Sequence, residues 1–177
     1  IFYSPNMEFP IKLKLFLQKY LKLFTKNEIL FKTDHKYNFL QKNKLLDFYR
    51  KNLLQFSQNE KDSLIKHTYF IKKTVKYSKI KNFNWKFIKF SNILEKNMPF
   101  TMDEYIFLPE IFLNNLNFND NYLKMENSDT LIHECIHIIQ RKHQDKFDKI
   151  YPKIFNCFKI SNLIITNKWN KLKMSNP

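Results

Sequence analysis

Residues 131–141 read LIHECIHIIQR, and wound as a helix they separate into two faces. At about 100° per residue, with His133 at zero, His137 falls near 40°, Thr130 near 60°, Arg141 near 80° and Glu134 near 100°. Leu131, Ile132, Cys135, Ile136, Ile138 and Ile139 fill an unbroken arc from about 140° to 300°. This pattern predicts an amphipathic helix with one buried face and one polar face. Asn127 or Ser128 is placed to cap it, and Asp129 suits the positive end of its dipole.

The polar face carries His-Glu-x-x-His. Imidazoles at i and i+4 lie one turn apart and can reach a single tetrahedral metal at about 2.0–2.1 Å. His133 and His137 are therefore the expected metal ligands, with Zn2+ as the expected ion. Glu134 sits beside that position as the expected catalytic general base, taking a proton from metal-activated water and passing it to the leaving amine. The plainer reading keeps both histidines as surface or hydrogen-bonded residues of an amphipathic helix. Cys135 lies on the apolar arc and reads as core.

A third metal ligand does not follow from the spacing. On a continuing helix His143 falls near 280°, inside the apolar arc, so it reaches the metal only if the helix breaks before it. Glu95, Glu104, Glu110 and Glu126 lie upstream, and no Asp or Glu follows Asp148. Arg141 reads as a helix C-terminal cation, or as a partner for an acid or a substrate carboxylate.

Further out, a chain of 177 residues fits one domain, or one domain with a helical appendage. Its net charge is +15, but the lysines are spread along the whole chain and only Arg50 and Arg141 are arginines. Specific forks to bases and phosphates favour Arg, so a solvated lysine surface outweighs specific nucleic-acid binding. The abundance of Lys, Asn, Ile and Phe also follows AT-rich codons. Glycine is absent, so turns that need a positive φ must use Asn or Asp; KNEI (26–29), FNDNY (118–122) and TNKWN (166–170) read as such turns. Two cysteines, Cys135 and Cys157, make no disulfide framework and fit thiols in a reducing, intracellular setting. No apolar run reaches the roughly 18 residues of a membrane span, and no signal peptide is visible in a chain that starts on Ile1.

The expected fold class is α+β, with a helical N-terminal region (1–80) followed by a core (81–177) that holds a small sheet and the motif helix. IKLKLFLQKYLKLF (11–24) places Leu13, Phe16, Leu17, Tyr20, Leu21 and Phe24 on one helical face. NFLQKNKLLDFYRKNLLQF (38–56) does the same with Leu46, Tyr49, Leu53 and Phe56. Ser57 and Glu60 form a capping-box sequence that opens a third helix to about Tyr77, with Leu64, Thr68, Ile71 and Val75 inward. NWKFIKFS (84–91) and DEYIFLP (103–109) read as strands joined by a linker, NILEKNMPFTM. Residues 110–126 read as a short helix or loop. DKFDKIYPKIFNCF (145–158) reads as helical, broken or restarted at Pro152.

HECIH on such a helix resembles the zincin superfamily of zinc metallopeptidases. The stretch MPFT, IFLPE and TLIHECIHIIQR, with the terminal SNP, is similar to metallopeptidases of large DNA viruses of algae and amoebae, over about residues 85 to 177. The resemblance implies a zinc-dependent peptidase acting on a peptide or protein substrate in an intracellular setting, the host cytoplasm or a virion. It implies His133 and His137 as ligands, Glu134 as general base, and an acid beyond Pro177 as third ligand. His143 has the metzincin spacing, and Met174 stands where a Met-turn could be, but that helix ends at Gly where this chain has Gln140. Many of the viral relatives carry His where this chain has Phe100. The alternatives are a catalytically inactive metal-binding structural or interaction protein, for example of a virion, and a basic nucleic-acid-binding protein.

Overall fold

Phe87-Ile-Lys-Phe90 and Tyr105-Ile-Phe-Leu-Pro109 are apolar on both sides of the pleat, as strands buried on two faces must be. They form β2 (Phe87–Phe90) and β4 (Tyr105–Pro109), which run parallel, with Phe87 opposite Ile106 and Phe90 opposite Pro109. β1 (Leu53–Leu54) pairs antiparallel with β2, and β3 (Phe100–Met102) antiparallel with β4, giving a sheet of order β1-β2-β4-β3. The chain is seen in a computed structural model that describes residues 2–3, 11–22, 24–33, 44–116 and 118–156.

Each face of the sheet has its own core. Ile88, Phe90, Phe100, Met102 and Phe107 pack with Leu17, Tyr20 and Leu21 of α1 (Ile11–Lys22) and with Leu45, Phe48 and Tyr49 of α3 (Leu45–Lys51). Phe87, Ile106 and Leu108 point the other way. They meet Leu64 and Ile71 of α4 (Gln58–Thr74), Ile80 of α5 (Ser78–Lys81), Leu113 of α6 (Glu110–Asn114), and Leu131, Cys135 and Ile138 of α7 (Asn121–Lys142). The architecture is thus α+β, as expected. α2 (Lys26–Lys32) borders the first core, and α8 (Gln144–Phe155) follows α7. Among the described residues no helix is long and apolar enough to cross a membrane.

Several local expectations change. KNEI is not a turn but the start of α2, because Thr25 and Glu28 form a capping box. The helix expected over 38–56 stops at Lys51, and Leu53–Leu54 becomes β1, drawn out of helical periodicity by backbone pairing with Phe90 and Lys89. The capping box at Ser57 and Glu60 is present, but α4 ends at Thr74 and buries His67 fully where Thr68 was expected inward. The linker supplies the sheet's edge, β3. α8 runs through Pro152 without a break; the ring forfeits one helical hydrogen bond only three residues from the end. The expectations for residues 38–43, Cys157, TNKWN and the tail, and for the side chains of Leu13 and Phe16, lie outside the described residues.

The glycine-free turns use positive φ at Glu95 (49°), Lys96 (54°), Asn97 (62°), Asp103 (52°) and Asn156 (52°). Asn97, Asp103 and Asn156 are the residue types expected there. Glu95 and Lys96 are not, and such backbone strain costs on the order of 1–3 kcal/mol per residue. It is offset by the Glu95 carboxylate, which accepts hydrogen bonds from Lys32 Nζ (2.6 Å), Tyr49 Oη and Tyr20 Oη (3.4 Å).

Candidate metal centre

α7 is seated on the sheet by Leu131, Cys135, Ile138 and Ile139, all buried. At roughly 1.5–3 kcal/mol per large apolar side chain, this contact fixes the helix's rotation. The helix starts earlier than expected. Asp120, not Asn127 or Ser128, caps it, accepting from the backbone N of Leu123 at 2.9 Å. Asn127 and Ser128 act sideways instead, tying α7 to its neighbours. Asn127 Nδ2 donates to the Asn115 carbonyl (3.2 Å), and Ser128 Oγ meets His67 Nδ1 of α4 (3.1 Å). Asp129 accordingly lies inside the helix, away from the positive end of its dipole.

With the apolar arc inward, the polar arc presents His133 and His137. Their Nε2 atoms are 3.0 Å apart, and the rings stand nearly perpendicular at 89°. Two nitrogens of a tetrahedral zinc site lie about 3.3 Å apart, given bonds of about 2.0–2.1 Å, so the pair fits one ion with little adjustment. The same separation suits an N–H···N hydrogen bond between two neutral imidazoles. A ligand atom from each of His133, Glu134 and His137 lies within 4.8 Å of the others. His133 is exposed, His137 is half-buried, and burial with the neighbouring His133 holds His137 below the usual histidine range.

Glu134 departs from the sequence expectation. It shares the polar arc but is only 6% exposed. Burial pushes its carboxyl up to about 7, against the opposing pull of Arg141. Arg141 is half-buried, and its Nη2 donates to the carbonyl of Asp103 (3.1 Å), at the left-handed turn between β3 and β4. The guanidinium thus does more than cap a helix end: it bridges α7 to the sheet and supplies positive charge near Glu134. An Asp in a glycine-free turn was the sequence signal for Asp103.

None of the upstream carboxylates joins the group. Glu95 is held by Lys32, Tyr20 and Tyr49, and Glu104 by Lys86. Glu110 opens α6, and Glu126 is exposed two turns before His133. α7 does stop before His143, whose N–H bonds back to the carbonyls of Ile139 (3.0 Å) and Gln140 (3.2 Å). The break does not bring the ring to the metal position: α8 starts at Gln144, and His143 lines a cleft with Ile139 on the opposite arc. Phe100 is core, stacked on Phe107 at 4.5 Å. Among the described residues, the metal-binding candidates are His133, His137 and Glu134 alone.

No family model, no curated protein and no solved structure matches the chain. A functional reading therefore rests on the geometry of this helix.

Proposed function

We propose that this chain is a zinc-dependent peptidase, hydrolysing peptide bonds in the zincin manner. The observation that carries the reading is the pairing of two facing imidazoles, 3.0 Å apart, with a buried carboxylate one residue along the same helix. His133 and His137 would hold a zinc ion, which would supply Lewis-acid polarisation of a carbonyl and lower the pKa of water. The remaining steps belong to the protein. Glu134 takes a proton from the attacking water as its oxygen bonds to the carbonyl carbon. The C–N bond then breaks, and the proton passes from Glu134 to the leaving amine. The positive charge of Arg141 favours the ionised form of Glu134 that this step requires.

A second reading has its own observation. With no third protein ligand beyond Glu134 among the described residues, the site suits a metal held without turnover, as in a structural or interaction protein of a virion. Glu134→Ala separates the two. The peptidase reading expects loss of peptide hydrolysis with zinc still bound. Unchanged biological function in a variant that still binds zinc would favour the non-enzymatic site.

A further inference from the structure

The C-terminal end of α7 borders a second feature, on the arc that faces away from His133 and His137. Here α5 and the segment leading to β2 stand off from α7, leaving a cleft of about 380 Å³. This is within the usual size range of small-molecule sites. Its floor is apolar: Phe83, braced edge-on by Trp85 at 5.0 Å, and Ile139. Its walls carry Lys79 from one side, Lys142 and His143 from the other, and the side chains of Ser78, Asn82 and Asn84. Among the described residues no carboxylate lines it. Glu104, on the β3–β4 turn, accepts Lys86 and, at 3.5 Å, Lys142; Asp145 is exposed in the first turn of α8. No hydrogen bond or ion pair to another described residue engages the side chains of Lys79, Asn82 or Asn84.

We propose that this cleft binds an organic phosphate, a phosphate monoester carried on an apolar or aromatic body. The lining holds two lysines, one of them paired with Glu104, together with a histidine, two asparagines and a serine, a donor-rich and cationic set that suits a dianion with three outward oxygens better than a single carboxylate. Phe83 and Ile139 would cover the body to which that phosphate is attached. The state of His143 agrees with such a use. Desolvation and the charges of Lys79, Lys146 and Lys142 hold its imidazole below the usual histidine range, and a bound dianion reverses that bias. The site is separate from the metal centre. His143 lies about 9 Å along the helix from His137 and on the other arc.

The test is a titration of the full chain, metal-loaded and chelated, with phenyl phosphate, inorganic phosphate and benzoate, followed by calorimetry and backbone amide shifts. The expected result is saturable binding of phenyl phosphate in both metal states, with shifts confined to residues 78–84 and 139–144. Inorganic phosphate and benzoate should each bind about tenfold more weakly or worse. Lys79→Glu and His143→Asn should each weaken phenyl phosphate by about tenfold, the scale of one hydrogen bond to a charged group. Lys66→Glu makes the same charge change on the exposed face of α4 and should leave affinity within twofold. Lys79→Gln replaces Lys79→Glu if thermal melting shows that variant unfolded. An equal loss in Lys66→Glu, equal affinity for benzoate, or shifts scattered over the lysine surface would each overturn the proposal.

Discussion

Two glutamates are buried to almost the same extent, Glu95 at 5% exposure and Glu134 at 6%, yet their surroundings are opposite. Glu95 is well supplied with donors: Lys32 pairs with its Oε2, and the hydroxyls of Tyr20 and Tyr49 both donate to its Oε1. In return it holds the two tyrosines protonated, since burial and then the Glu95 charge raise both phenols. Among the described residues Glu134 has no comparable set of donors. Burial raises its carboxyl, and Arg141 acts on it by charge while its Nη2 donates elsewhere, to the Asp103 carbonyl. A buried carboxylate well supplied with donors holds a strained turn in place. One left short of donors among the described residues, beside two imidazoles, has its carboxyl raised to about 7 by burial.

The largest effect should come from Glu134→Gln. It should reduce peptide hydrolysis by about 10²–10⁴-fold, the usual contribution of a positioned general base, while the melting temperature holds or rises. A fall in stability comparable to that of a Glu95 variant would break the comparison. Glu95→Ala should destabilise the fold by about 3–5 kcal/mol in urea unfolding, because it strands the Lys32 ammonium and two phenols in the core. Lys32→Met should cost about as much, by stranding the carboxylate.

The pH dependence of metal-free protein sharpens the contrast. Glu134 is raised in the fold from its ordinary 4.5 to about 7, so its contribution favours folding below about 4.5 and is lost as pH rises towards 7. His67 runs the other way. Burial and then Lys124 lower it from 6.5 to about 4, so its contribution is present above about 6.5 and is lost as pH falls towards 4. Each term should amount to at most about 3 kcal/mol. Between those limits they oppose one another, and urea unfolding across pH should show it. Glu134→Gln should leave stability rising with pH, and His67→Phe should leave it falling. The smallest effect is expected at the more exposed carboxylate, Glu104. Breaking its ion pair by Lys86→Met should cost less than about 1 kcal/mol and should fade in high salt.

The two-faced character of α7 was legible because an apolar arc and a polar arc both lie within a few turns of local sequence. The burial of Glu134 was not, because it depends on how α7 sits against the sheet. Glu95 was still less legible: its partners lie 46, 63 and 75 residues away, and sequence reading offered it only as a metal ligand. β1 was hidden inside a helical periodicity that it shares, since two residues of backbone pairing leave no pattern of their own. Thr25 and Glu28, by contrast, carry a readable capping signal under the turn reading of KNEI. His67 lies one residue from the position expected inward, and its partner Ser128 comes from another helix.

Whether His133 and His137 hold zinc is read from the metal content of the purified chain. Protein purified without chelator, then measured by elemental analysis after exhaustive dialysis, should carry close to one zinc per chain, and His133→Ala should carry none while remaining folded by circular dichroism. Absence of stoichiometric zinc in the wild-type chain, or equal zinc in the His133→Ala variant, would contradict zinc binding by this pair.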